Sequence, residues 1–310
     1  MISIKPILDG NKRAVSRAIS LIEDESHHAP SLLRLLYPHT GKAFVIGIVG
    51  PPGTGKSSVI DAMVGPYRQR GAHVGVVATD PSSPMSGGAL LGDRLRMVSH
   101  STDSDVFIRS MASRGQSGGL SPTTRNVVRV MDSAGMNPII IETVGAGQND
   151  VSIASVADVI VVVLMPQMGD EIQSGKAGLM EIGDIFVVNK ADLDGADKTM
   201  SDLRALRSDV QGWEPPILKT VAISGKGIKE MLVQIEDCRQ YLEEKGYLVR
   251  RRMAHLEEEL LGDMVSHWTQ KLKLRAKRTS HFRAIVRKVV SREIDPWRAT
   301  EQLYEELNLM

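Results

Sequence analysis

Cysteine is almost missing from this chain: Cys238 is the only one in 310 residues. A lone cysteine forms no internal disulfide, and it excludes a cysteine-based metal cluster. Long apolar runs are missing too. Val159 to Met165 stops at Pro166 and is far too short to span a bilayer. The start, Met1-Ile2-Ser3-Ile4-Lys5-Pro6, lacks the basic and apolar blocks of a secretory signal, so the cytoplasm is the expected compartment. Excess charge of either sign is also lacking. A net charge of +1 gives no electrostatic reason to expect nucleic acid or a membrane surface as a partner. Internal repeats and low-complexity segments do not occur. With 42% hydrophobic and 24% charged residues, the composition is that of an ordinary globular protein. The length suits one large domain with appendages, or two domains.

What is present is Gly50-Pro51-Pro52-Gly53-Thr54-Gly55-Lys56-Ser57, a G-x-x-x-x-G-K-[ST] phosphate loop. It follows the apolar run Ala43 to Val49 and precedes a helix-compatible segment, Ser58 to Arg70. Glycines let successive backbone N–H groups turn inward around an anion, and a helix N-terminus adds partial positive charge. Lys56 is placed to reach β- and γ-phosphates, and Ser57 to ligate Mg²⁺. The loop predicts a nucleoside-triphosphate site.

Short β-branched runs alternate with helical segments from Ala43 to about Tyr241. The runs are Phe44–Val49, His73–Thr79, Val106–Ser110, Pro138–Glu142, Val159–Met165, Ile185–Asn189 and Ile217–Ile223. Their continuous apolar character predicts strands buried on both faces, hence a doubly wound α/β fold with a mostly parallel sheet. Residues 41–245 are assigned to this domain. Residues 1–40 read as a helical extension, with helices over Asn11–Asp24 and Ser31–Leu36 broken by Pro30 and Pro38. Residues 246–310 read as a helical arm. Met253, Leu256, Leu260, Leu261, Met264, Trp268 and Leu272 recur there at three- and four-residue spacing. Such a stripe either docks on the chain's own core or pairs two chains.

Asn189-Lys190-Ala191-Asp192 closes the sixth expected strand. In an N-K-x-D turn the Asp192 carboxylate accepts from the N1–H and exocyclic amine of guanine. Adenine lacks that donor pair and would leave the carboxylate desolvated and unpaired. Lys190 lays its stem over the base, and Asn189 ties the turn to the phosphate loop. Glu142-Thr143-Val144-Gly145 suits an acid–x–x–Gly element that holds Mg²⁺ water and senses a γ-phosphate through the Gly145 N–H. Most small GTPases carry Asp where Glu142 stands. Asp80, Asp93 and Glu142 are metal candidates by charge and placement, while Asp80 before Pro81 is also a turn former.

These motifs, with Asp80-Pro-Ser-Ser-Pro84, Gly87 to Arg94, Phe107 to Ser110, Arg114 to Gly119, Glu142 to Gln148 and Gly169 to Gln173, resemble the MeaB/ArgK family. Its members are G-protein chaperones of adenosylcobalamin-dependent methylmalonyl-CoA mutase. The resemblance runs through about Ala14 to Ile228. It implies a phosphate-loop GTPase of the SIMIBI branch that uses GTP and Mg²⁺, gates cobalamin loading and protects the mutase. It further implies a C-terminal dimerisation arm. Ser57, Asp80, Asp93 and Glu142 fall on family positions around Mg²⁺. Gly50 to Ser58 fall on the phosphate cradle, Asn189, Lys190 and Asp192 on the guanine loop, and Ala222 on the backbone donor to guanine O6. Gly169 to Gly178 falls on an additional switch, with Lys176 on a lysine implicated in partner-stimulated hydrolysis. Val221 and Ala177 depart from the serine and basic residue common at their positions. No obvious arginine finger stands in the chain; Arg94 and Arg114 are the nearest by loop position.

Two other readings are a nickel-insertion GTPase and a small-molecule kinase. The first needs Cys/His clusters, against one cysteine and a His27-His28 pair that reads as solvated. The second needs a base at an acceptor pocket, and conflicts with the guanine loop.

Overall fold

The structure, a computed structural model, describes residues 3–80, 100, 102–112, 120, 123–144, 148–168, 177–207, 209, 212–278 and 280–306, without the side chains of Asp80, Gln148–Val151, Ala177, Arg278, Ser280 and Glu306. It divides into two compact units, Met1–Arg251 and Arg252–Met310.

The first unit is built on seven strands: β1 Val45–Val49, β2 Val74–Asp80, β3 Val106–Ala112, β4 Ile139–Glu142, β5 Val159–Leu164, β6 Ile185–Val188 and β7 Ile217–Lys219. Their order is β3-β2-β4-β1-β5-β6-β7. Every pair in the sheet is parallel. Helices cover both faces. On one side α2 (Lys12–Glu23), α3 (Ala29–Leu36) and α5 (Thr124–Ser133) pack with Val77, Ile139, Ile141 and Val162. On the other, α4 (Lys56–Gln69) and α8 (Ile228–Glu244) pack with Ile46, Ile48, Val76 and Val161. A short helix α1 (Lys5–Leu8), α6 (Ala177–Ile182) and α7 (Ala196–Leu206) complete the layers. Alternate residues of each strand thus feed two separate cores, and each fully buried Val or Ile contributes about 1.5–3 kcal/mol.

Side chains close the N-terminal edge of the sheet. Asp158 Oδ2 accepts from Val45 N–H, Asp184 Oδ2 from Ile160 N–H, and Asn137 Oδ1 from Phe44 N–H. Arg251 completes this edge with a bidentate pair to Asp184 at 2.9 and 3.0 Å. The C-terminal edge is left for the loops. There β4 and β5 lie on opposite sides of β1, the switch point at which open α/β sheets form their ligand crevice.

Three local differences from the sequence expectation have physical causes. Pro30 does not break a helix; it occupies the first turn of α3, where its missing N–H has no partner to lose. Strand β7 is shorter than expected, because a 3₁₀ turn over Ala222–Ser224 follows it. The arm read as helical over 246–310 is interrupted after Val290, leaving two separate helices, α10 (Ser280–Val290) and α11 (Pro296–Glu306). Arg292 adopts φ 62°, and Asp295 Oδ1 accepts from Trp297 and Arg298 N–H to start α11.

The second unit contains the end of α9 (Tyr247–Arg278), α10 and α11. Among its described residues, Ile285 and Ala299 are the buried apolar ones. Met253, Leu256, Leu260, Leu261, Met264 and Trp268 are all exposed, Trp268 at 56%. Among the described residues, no helix is long and apolar enough to cross a membrane.

Candidate functional site

The phosphate loop leaves the buried end of β1 and enters α4. Gly50 has φ 145°, and a Cβ there would stand 2.0 Å from Val163 O, so only glycine passes. Gly55 has φ 90°, and its Cβ would meet Asn189 Nδ2 at 2.5 Å. The loop is therefore built against its neighbours on β5 and β6. Thr54 Oγ1 donates to Pro51 O at 2.9 Å within the loop, and Gly53, Pro52 and Ser58 are exposed.

Lys56 is the first residue of α4 and is buried. Its Nζ donates to Gly50 O at 2.9 Å and Pro51 O at 3.2 Å, holding the ammonium against the loop's own carbonyls. Beside it, Ser57 Oγ donates to Glu142 Oε1 at 2.7 Å. Both side chains are buried, and Glu142 ends β4 in register with Ile48 of β1. Asp80 ends β2, two strands from β1, and its side chain lies outside the described residues. Asp93, Gly145 and Lys176 lie outside them entirely, as do Arg94, Arg114 and all of 169–176.

Asn189 is the hub of the other half. Its Nδ2 donates to Thr54 O at 2.9 Å, and its Oδ1 accepts from Thr220 Oγ1 and Ala222 N–H, both at 3.1 Å. One 2%-exposed side chain thus joins the phosphate loop to the segment after β7. Lys190 follows with φ 56°, a left-handed conformation rare for a long side chain, and its Nζ lies 4.0 Å from Met165 Sδ. Asp192 is exposed at the mouth of this turn. The sequence reading did not single out Thr220 or Met165; they are partners in space, 31 and 25 residues from the residues they touch.

Residues 15–278 match the family described as methylmalonyl-CoA mutase-associated GTPase MeaB. The chain belongs to the MeaB family. A relative from Pyrococcus abyssi is 45% identical over 310 residues, covering 98% of this chain and 95% of that one. The GTPase ArgK of Escherichia coli is 33% identical over 284 residues, 86% of each chain. Among solved structures, a protein titled LAO/AO transport system kinase superposes with a TM-score of 0.72 at 26% identity, covering 98% of this chain and 96% of that one. For this MeaB-family member, membership carries GTP and GDP binding.

Proposed function

We propose that this chain hydrolyses GTP with Mg²⁺, and that hydrolysis gates cobalamin loading and protection of an adenosylcobalamin-dependent methylmalonyl-CoA mutase. The observation that carries the nucleotide half is the Asn189 hub, which holds phosphate loop and base turn together through Thr54 O and Ala222 N–H. The family description carries the mutase half.

The donor set beside the loop fits the metal. Ser57 Oγ and Glu142 Oε1 are hard oxygen donors already in contact, the chemistry Mg²⁺ selects. Ser57 and Glu142, with Asp80 and Asp93, would hold the ion or its waters; Mg²⁺ when bound offsets charge developing on the phosphates. Gly50 to Ser58 cradle the phosphates through backbone N–H groups, and Lys56 turns its ammonium from the loop carbonyls to the β- and γ-oxygens. Asp192 reads the guanine edge, Lys190 covers the base, and Ala222 lies beside O6. Gly145 senses the γ-phosphate. Lys176 faces the developing charge once the mutase is bound.

The exposed stripe from Met253 to Trp268 supports a homodimer joined through the arm, since apolar surface of that extent is costly to leave in water. Sedimentation of the full chain should give a dimer that Leu260→Glu with Trp268→Glu converts to monomer. A monomeric wild type contradicts the dimer.

Calorimetry tests the nucleotide assignment. GTP and GDP should bind far more tightly than ATP; equal affinity for GTP and ATP would sink it.

A further inference from the structure

Among the described residues, three threonine hydroxyls are buried without a hydrogen-bond partner: Thr79 Oγ1 and Thr143 Oγ1 at the C-terminal edge of the sheet, and Thr124 Oγ1 at the start of α5. The three residues are 2%, 1% and 1% exposed. A buried hydroxyl left unsatisfied costs about 1–3 kcal/mol, so a group of three calls for a physical reason.

The topology brings them together. Thr79 shares its face of β2 with Val77, and Val77 stands opposite Ile141 of β4. The last registered pair of these strands is Ala78 with Glu142. On its other side β4 keeps its course along β1 one residue further, because Thr143 N–H donates to Ile48 O at 3.2 Å as Ile139 N–H donates to Phe44 O at 3.0 Å, and this extends the alternation of β4 to Thr143. Thr143 therefore stands beside Thr79, on the face that Val77 and Ile141 present to α5. Thr124 is the first residue of α5, one turn before Val127 and Val128 on the buried stripe that continues to Met131. Since α5 leads from β3 back to the start of β4, its N-terminus overlies the strand ends. Its first-turn N–H groups have no acceptor within the helix.

We infer that Thr79, Thr124 and Thr143 hold one buried water at the N-terminus of α5, and that this water positions the strand ends carrying Asp80 and Glu142. A hydroxyl both donates and accepts, and a buried water makes about three hydrogen bonds to otherwise unsatisfied groups, which matches this set. Thr79 immediately precedes Asp80, and Thr143 immediately follows Glu142. The water is thus one residue removed, on both strands, from the carboxylates assigned to Mg²⁺. The positioning half rests on the nucleotide site proposed above; the water does not.

The test uses the full chain with Thr79→Val, Thr124→Val and Thr143→Val, each isosteric, and the corresponding Ser variants. If the hydroxyls share a water, each Val variant loses it and melts about 3 °C lower, while Ser restores the melting temperature. Combining Thr79→Val with Thr143→Val should then cost little more than either alone, because one water is lost once. Half-saturating Mg²⁺ for binding a fluorescent GTP analogue should rise severalfold in the Val variants and return with Ser. Unchanged or raised melting temperatures overturn the water, because dry hydroxyls are better replaced by methyl groups. Lowered melting temperatures with an unmoved Mg²⁺ midpoint overturn the positioning role. A wild type that binds no GTP defeats the nucleotide reading instead, and the melting temperatures still decide the water.

Discussion

Ser57 Oγ donates to Glu142 Oε1 at 2.7 Å, closing a contact between the first turn of α4 and the end of β4. Residues 85 apart in sequence are joined beside the phosphate loop, inside the core boundary.

Glu142→Gln should keep the contact's shape while removing its charge. Mg²⁺ affinity in the presence of GTP should fall about 10- to 100-fold, the usual cost of disturbing a metal's supporting carboxylate. A Mg²⁺ titration followed by a fluorescent GTP analogue checks it; an unchanged midpoint would remove Glu142 from the metal site.

Lys56→Ala should abolish GTP hydrolysis and leave the circular-dichroism spectrum intact. Its ammonium donates to carbonyls of the loop itself, Gly50 O and Pro51 O, on the rim of the sheet. Hydrolysis at the wild-type rate would refute the site.

Asp192→Asn should shift preference from guanine toward xanthine nucleotides, whose O2 accepts from the new amide. Discrimination by hydrogen bonds of this kind is worth on the order of 10⁴-fold. Competition binding with GTP and XTP measures it, and retained GTP preference contradicts the role.

Arg251→Ala should lower stability by about 3 kcal/mol in urea denaturation, since it leaves the Asp184 carboxylate, 3% exposed, without its bidentate partner. The same pairing holds the guanidinium charged, its pKa raised by Asp184 against the opposing effect of burial. A loss within error of zero would show that the carboxylate is satisfied by Ile160 N–H alone.

Much of the fold was legible because buried parallel strands leave continuous β-branched runs, and all seven appear within about two residues of their expected starts. Strand ends were less legible. Gly225 and Gly227, with φ 73° and 80°, turn the chain into loop after β7 where apolar residues continue to Ile223. Asp158 and Asp184, which satisfy the first N–H groups of neighbouring strands, leave no local signal because their partners lie 113 and 24 residues away. The phosphate loop was readable as one contiguous pattern. The work of Asn189 was only partly so, since its bond to Thr54 O spans 135 residues. Asp93, Gly145 and Lys176 stay expectations of the sequence and of the proposal.

Steady-state GTP hydrolysis with and without a cobalamin mutase tests the proposed coupling of turnover to that partner most directly. The full chain alone should turn over slowly, and adding adenosylcobalamin-dependent methylmalonyl-CoA mutase should raise the rate by tenfold or more, as arriving charge stabilisation does in related systems (about 10³-fold or greater). Lys176→Ala should keep the basal rate and lose the stimulation. Equal stimulation of variant and wild type would remove Lys176 from the mechanism, and no stimulation of the wild type would contradict the coupling itself.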